Sequence, residues 1–207
     1  LVTRAPGYLI RLEPDRLDLL RFERLVREGR SSLAAGDPHG AAEALSEAVE
    51  LWRGRALVDV DHSSYLRLEA LRLDELRLGA VEEQIDAELA LGRHAAVVAG
   101  LEALVVEHPL RERLRGQLML SLYRCGRQAD ALEVYRQGRR LLRDELGLEP
   151  GTELQRLERA ILAQDAALEP PERRARGDPT PSPVEPRSSG SFRTPAAPII
   201  GVARRKA

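Results

Sequence analysis

The chain has 207 residues, of which 43% are hydrophobic and 31% charged, a balance that fits one sizeable folded domain with tails. Its apolar runs are too short to span a bilayer, no basic start followed by an apolar run stands at Leu1, and Cys125 as the only cysteine rules out an internal disulfide. Together these predict a cytoplasmic protein with no membrane partner. The formal net charge of −1 hides a division. Residues 169–207 hold eight Lys/Arg and four Asp/Glu, a net of +4, which leaves residues 1–168 at −5. A mildly acidic body has little electrostatic pull on nucleic acid. All but one of the 32 basic residues are arginine, and they are spread over every predicted helix rather than clustered.

Residues 1–13 are the one stretch with strand character. Leu1-Val2-Thr3 and Tyr8-Leu9-Ile10-Arg11-Leu12 flank the turn signal Ala5-Pro6-Gly7. Two strands do not make a stable sheet by themselves, so this reads as the last hairpin of something larger. Helical periodicity then takes over. Leu19, Phe22, Val26 and Leu33 share one face of a first helix, which Gly36 stops. Asp37-Pro38 restarts the chain as a cap residue followed by proline at the first helical position. Ala42, Leu45, Val49 and Trp52 line a second helix.

After a loop from Arg53 to His62, a long third helix is predicted from about Ser64 to Leu91. It carries two apolar stripes, Leu71/Leu78/Ile85 and Leu66/Leu73/Ala80/Ala87, as expected of a helix sandwiched between neighbours. Gly92 ends it. Val98, Leu101 and Val105 mark a fourth helix that stops before Pro109. The fifth spans about Leu110 to Arg124, on Leu114, Leu118 and Leu122, and begins with proline at its start and a solvated charged turn, Arg111-Glu112-Arg113. The sixth runs from Gln128 to Leu146, with Ala131, Tyr135 and Leu142 inward, and Gly147 closes it. Thr152 and Gln155 read as a capping box opening a seventh, with Leu154, Leu157 and Ile161 inward. Residues 169–207 hold eight of the thirteen prolines and are expected to form a disordered linker.

Gly92-Arg93-His94-Ala95-Ala96 and Gly126-Arg127-Gln128-Ala129-Asp130 stand 34 residues apart, each between two helices. That is the period of tetratricopeptide repeats. A related turn at Gly36 lies 56 residues before Gly92, so the array is irregular, and an ordinary bundle with glycine-capped turns remains the alternative. The expected fold is all-α, a tetratricopeptide-like array of about seven helices with a short β-hairpin at its N-terminal end. Gly92, Gly126, Trp52, Tyr123 and Tyr135 are its expected structural anchors.

No constellation of catalytic or ligand-binding residues emerges. His39, His62, His94 and His108 are scattered. Asp59, Asp61 and His62 share a loop, but they read better as a solvated lead into a helix cap than as metal ligands. Cys125 has no CxxC partner and reads as a buried structural thiol. Phosphate-loop, dinucleotide and nucleophile-elbow motifs are missing, so no cofactor, no metal and no enzymatic activity are expected.

Several blocks carry a resemblance: Leu51-Trp52-Arg53-Gly54, Ala87 to His94, His108-Pro109-Leu110-Arg111-Glu112, Gln117-Leu118-Met119, Leu122 to Gln128, Ala131-Leu132, Tyr135-Arg136 and Glu145 to Gly151. In this order they resemble the bacterial transcriptional activator domain of the Streptomyces antibiotic regulatory protein (SARP) family, over about Asp15 to Leu168. Thr3 to Ile10 resembles the C-terminal wing hairpin of an OmpR-type winged helix. The resemblance implies three parts: a wing remnant at 1–13, the activator domain at 15–168, and a linker at 169–207. It also implies Thr3 and Arg4 as DNA contacts, a recognition helix upstream of Leu1, and RNA polymerase or another protein as partner, with self-association possible. The implied function is transcription activation. The rival is a tetratricopeptide-like scaffold in signalling with no promoter role.

Overall fold

The computed structural model describes residues 2–4, 7–9, 17–57 and 64–169. Strands β1 (Val2–Arg4) and β2 (Gly7–Leu9) pair antiparallel, with Val2 opposite Leu9 and Arg4 opposite Gly7. Leu1 and Ile10 to Leu12, expected to extend this hairpin, lie outside the described residues, as do the Asp59-Asp61-His62 loop and residues 170–207.

Seven helices follow among the described residues: α1 (Asp18–Ala34), α2 (Pro38–Glu50), α3 (Ser64–Ala90), α4 (His94–Glu107), α5 (Glu112–Arg124), α6 (Gln128–Leu146) and α7 (Thr152–Leu162). A short 3-10 helix, Ala166–Leu168, ends the described part. Asp37 caps α2, its Oδ1 accepting from the Gly40 N–H at 3.0 Å, and Pro38 fills the first helical position, where a missing N–H costs nothing.

The turns at Gly92 and Gly126 are built alike. Each glycine is left-handed, with φ of +76° and +78°, and each following amide reaches back five residues at 2.9 Å, Arg93 N–H to Glu88 O and Arg127 N–H to Leu122 O. This bonding satisfies carbonyls that a helix end would leave orphaned. Asp37 N–H to Ser32 O, after Gly36, repeats the arrangement at 2.9 Å, so the three predicted turns are one device used three times.

Two cores result, and α3 serves both. Phe22, Leu25, Val26, Ala41, Ala42, Leu45 and Ala48 pack with Ala80 and Ala87 of α3. Leu78, Ile85 and Leu89, on another side of α3, pack with Leu101, Leu114, Leu118, Met119, Leu122, Ala131, Tyr135, Leu154 and Ile161. The array is irregular because α3 is 27 residues long where α5 is 13. Polar ties close the C-terminal end: Arg124 donates to Leu168 O and to Leu89 O, each at 2.9 Å, and Gln128 Nε2 to Ile161 O at 3.0 Å.

Four expectations need correction. Leu71 does not continue the buried stripe; it is 61% exposed, because α3 extends past the helices that cover Leu78. Helix α5 begins at Glu112, not Leu110, since Pro109 lies in a turn closed by Arg111 N–H to His108 O at 3.0 Å. The Thr152–Gln155 capping box does not form. Helix α7 begins at Thr152 itself, Gly151 takes the cap position, and the Gly151 N–H is satisfied by Glu112 Oε2 at 2.7 Å, while Gln155 Nε2 donates to Pro150 O. Cys125 is exposed rather than buried, because it sits where α5 ends and the chain turns outward at Gly126.

Close helix contact at α1 and α2 depends on Gly29, which is buried and whose added Cβ would lie 2.6 Å from Leu45 Cγ, a fully buried side chain. Gly29→Val is expected to destabilise the domain by about 2 kcal/mol through overpacking. Thermal unfolding followed by circular dichroism checks this, and an unaltered midpoint would contradict it.

Candidate interaction surface

The most demanding residue in the fold is Glu82, whose carboxylate is 1% exposed on α3, at the same inward position as Leu78 and Ile85. A buried carboxylate is costly unless it is paired and hydrogen-bonded. Here Arg111 grips it with two bonds, Nε to Oε1 at 2.8 Å and Nη2 to Oε2 at 3.3 Å, and Arg113 approaches at 3.5 Å. Arg111 also reaches Glu75, and Arg113 reaches Asp86 at 2.7 Å. Gln117 completes the cluster, its Nε2 donating to Glu82 O at 2.7 Å and Asp86 Oδ1 at 2.6 Å. Hydrogen bonds donated to the Glu82 and Glu75 carboxylates hold the Arg111 guanidinium above the ordinary arginine value, against partial burial. Arg111-Glu112-Arg113 is therefore not a solvated turn; its two arginines hold α5 to α3.

Arg115, one helical turn on, is 5% exposed, and no carboxylate among the described residues binds it. Its Nη1 donates to Val134 O at 3.2 Å and its Nη2 to Pro109 O at 2.9 Å. Burial pushes its guanidinium down from the usual value, and the Glu112 charge opposes that. Gly138 on α6 leaves the space that this side chain fills.

An open groove of about 410 Å³ lies between α3 and α4. Leu78, Val81 and Leu104 form its floor; Arg55, Asp74, Arg77, Glu107 and His108 form its rim. Trp52 stands beside it, half-buried, with its ring edge-on to Phe22 (centroids 5.2 Å apart, planes at 85°) and the Arg77 guanidinium over its face at 5.7 Å. The Trp52 Nε1–H finds no acceptor among the described residues. An apolar floor within an ionic rim has the make-up of a macromolecular contact surface.

Of the other expected anchors, Tyr135 is buried in the second core and Tyr123 is half-buried at its edge. Burial raises both phenols above their ordinary value, with the Glu158 charge adding to it at Tyr135 and those of Glu169 and Asp165 at Tyr123. Thr3 and Arg4 lie on β1, apart from the groove in sequence, and only their backbone pairing is described. Among the described residues, no group of three or more His, Cys, Asp or Glu is placed to hold a metal ion, and no helix is long and apolar enough to cross a membrane. Reading by periodicity missed Glu82, Arg111, Arg113 and Arg115. The available signal was a glutamate at steps of four and three between Leu78 and Ile85, which is a core position.

This architecture is that of a tetratricopeptide-like helical domain whose chemistry is spent on holding helices together. The chain belongs to the bacterial transcriptional activator domain family, whose model matches residues 17–162. It is 41% identical to regulatory protein DnrI of Streptomyces peucetius over 79% of this chain and 60% of that protein. It is 46% identical to transcriptional regulator RedD of Streptomyces coelicolor, over 80% of this chain and 47% of the relative. Among solved structures it resembles Mycobacterium tuberculosis EmbR in complex with a low affinity phosphopeptide, with a TM-score of 0.75 and 39% identity over 78% of this chain and 42% of that one. These are regulators of the SARP type, and the chain spans 60% or less of the length of each.

Two outcomes are expected of the ionic contacts. Arg111→Ala, which leaves Glu82 buried with one distant partner, should cost about 3 kcal/mol, whereas pairing it with Glu82→Leu should recover much of that loss; denaturant unfolding of the single and double variants tests both. Glu149, held by Arg139 and Arg143, each at 2.6 Å, has its carboxyl drawn down to about 2 from an ordinary value of 4.5. A lowered folded value means its contribution is whole above about pH 4.5 and is lost as pH falls through about 2. Glu149→Gln should therefore lower the melting temperature at pH 7, and the difference should shrink as pH falls toward and below about 2.

Proposed function

We propose that this chain is the activator and interaction domain of a DNA-binding transcription regulator of the SARP type, acting in the cytoplasm and not as an enzyme. The observation that carries this reading is the family match across residues 17–162, joined to relatives that are named as regulatory proteins. In this reading the β1–β2 hairpin is the wing of an upstream winged helix, and Thr3 and Arg4 are its contacts with DNA. The helical array supplies no base-reading element. It adds a surface for RNA polymerase or another protein, or for a second copy. The groove between α3 and α4 is the natural seat for such a contact, with Leu78, Val81 and Leu104 as its apolar floor.

The test is a domain exchange. Residues 17–168 of this chain replace the matching segment of regulatory protein DnrI, and transcription from a DnrI-responsive promoter is measured. Activation well above that of the truncated regulator lacking the segment is expected. Output equal to the truncated form would refute the activator role and favour a scaffold without promoter function.

A further inference from the structure

Helices α1 and α2, α3 and α4, and α5 and α6 are each joined by the same left-handed glycine turn, yet the three pairs do not close alike. Helices α1 and α2 pack along their lengths, and so do α5 and α6, whereas α3 and α4 meet only sparsely. The groove floored by Leu78, Val81 and Leu104 is the space this opening leaves. Its volume of about 410 Å³ holds about two or three leucine-sized side chains and no whole helix. Leu71, exposed two turns before Leu78 on the same stripe of α3, extends the apolar track. From Leu71 to Val81 the track runs roughly 15 Å, the length of about three helical turns.

What fits this track is decided by the charges beside it. Arg77 stands on α3 and Arg55 before it. The Arg55 side chain is 76% exposed and meets Asp74 only at a long 3.5 Å. Arg77 lies over Trp52, donates to Gly54 O at 3.4 Å and has no carboxylate partner among the described residues. Glu107 stands across the groove, exposed in the last turn of α4, where the helix's C-terminal carbonyls add to its negative charge. It has no ion pair among the described residues. Asp74 and Glu107 on the rim oppose a nucleic-acid backbone, and an apolar floor offers such a backbone nothing. An occupant with an apolar stripe, carboxylates along one flank and cations along the other meets all these groups at once. An amphipathic helix carries its side chains in that arrangement.

We propose that the groove between α3 and α4 takes an amphipathic helix of a partner protein, its apolar stripe on Leu78, Val81 and Leu104, its acidic flank toward Arg55 and Arg77 and its basic flank toward Glu107. This rests on the groove being the partner seat, and it names the chemistry of what is seated there. The bound helix supplies the cover that α4 leaves incomplete on α3. The rim then selects among amphipathic helices, because a helix with the same charge on both flanks sets like charges together on one side.

Trp52, the one tryptophan of the chain, stands beside the groove and serves as a local reporter. The probes are two dye-labelled, tryptophan-free peptides of about four helical turns, with leucines three and four residues apart. One carries glutamates on one flank and lysines on the other; the second carries glutamates on both. Binding to the full chain is read by anisotropy, and its place by Trp52 emission. Wild type is expected to bind the mixed-flank peptide about tenfold more tightly than the all-glutamate one. Glu107→Lys should invert that preference, and Arg55→Glu should weaken both peptides. Both substitutions are at exposed positions, so melting followed by circular dichroism should stay the same. Absence of saturable binding, equal preference in wild type and Glu107→Lys, or binding that leaves Trp52 emission unchanged each overturn the proposal. A dimer in sedimentation that Glu107→Lys dissociates assigns the groove to a second copy and overturns it too. The domain exchange reads transcription, whereas these titrations read the groove alone. A scaffold without promoter function would fail the first and pass the second, so the two ideas fail separately.

Discussion

Everything in this fold depends on α3 being buried on two sides. A helix with one apolar stripe lies on a surface; a helix with two must be held between layers, and it then transmits geometry from one layer to the other. Ala80 and Ala87 allow α2 close on one side, and Leu78, Ile85 and Leu89 fill the second core on the other. Glu82 stands among these positions, and its carboxylate would be untenable there without Arg111 and Arg113. A leucine at this position would serve stability as well or better. What the ion cluster adds is register. The Arg111 fork meets the Glu82 carboxylate in one relative setting of α3 and α5, whereas apolar faces slide.

The turns explain how an irregular array keeps a regular local geometry. The bonding after Gly36, Gly92 and Gly126 is the same, so each helix pair starts from the same reversal whatever the length of the helices between. The extra length falls in α3 and in the segment before it. The added turns project beyond the cores, which is why Leu71 is exposed although it belongs to the Leu78 stripe. An insertion that lengthens one helix leaves packing intact elsewhere, because each unit buries its apolar face against its neighbours alone.

The helices were legible in the sequence because their signals are local. A 3.6-residue period, a glycine in the left-handed region and the Asp37-Pro38 pair act within one or two turns of chain, and α6 runs from Gln128 to Leu146 as expected. What was not legible depends on distant partners. Arg111 and Arg113 look solvated until Glu82, 29 residues away from Arg111, is brought beside them. Thr152 looks like a cap until Glu112 satisfies the Gly151 amide from another helix and moves the helix start by one residue. Cys125 fits an inward pattern by position, yet the turn that follows carries it outward. The groove is a product of tertiary assembly, since its rim draws on Arg55, Arg77 and His108 from three different segments.

The arginine content also finds its place once partners are known. Residues 1–168 carry many arginines yet are net acidic, so their charges are expected to be met by carboxylates rather than offered to nucleic acid. In the structure, Arg21 is tied to Glu47, Arg30 to Glu83, Arg136 and Arg140 to Glu133, and Arg139 and Arg143 to Glu149, so each of these charges is met by a carboxylate. Arg115 is buried, and Arg77 lies over Trp52. Among the described residues, such pairing offsets these positive charges, which would otherwise be available to displace the counterions of a duplex, the main source of sequence-independent affinity for DNA. A surface made this way is suited to contacts by shape and apolar burial rather than to phosphates. The division of labour proposed above is in keeping with where these charges are placed.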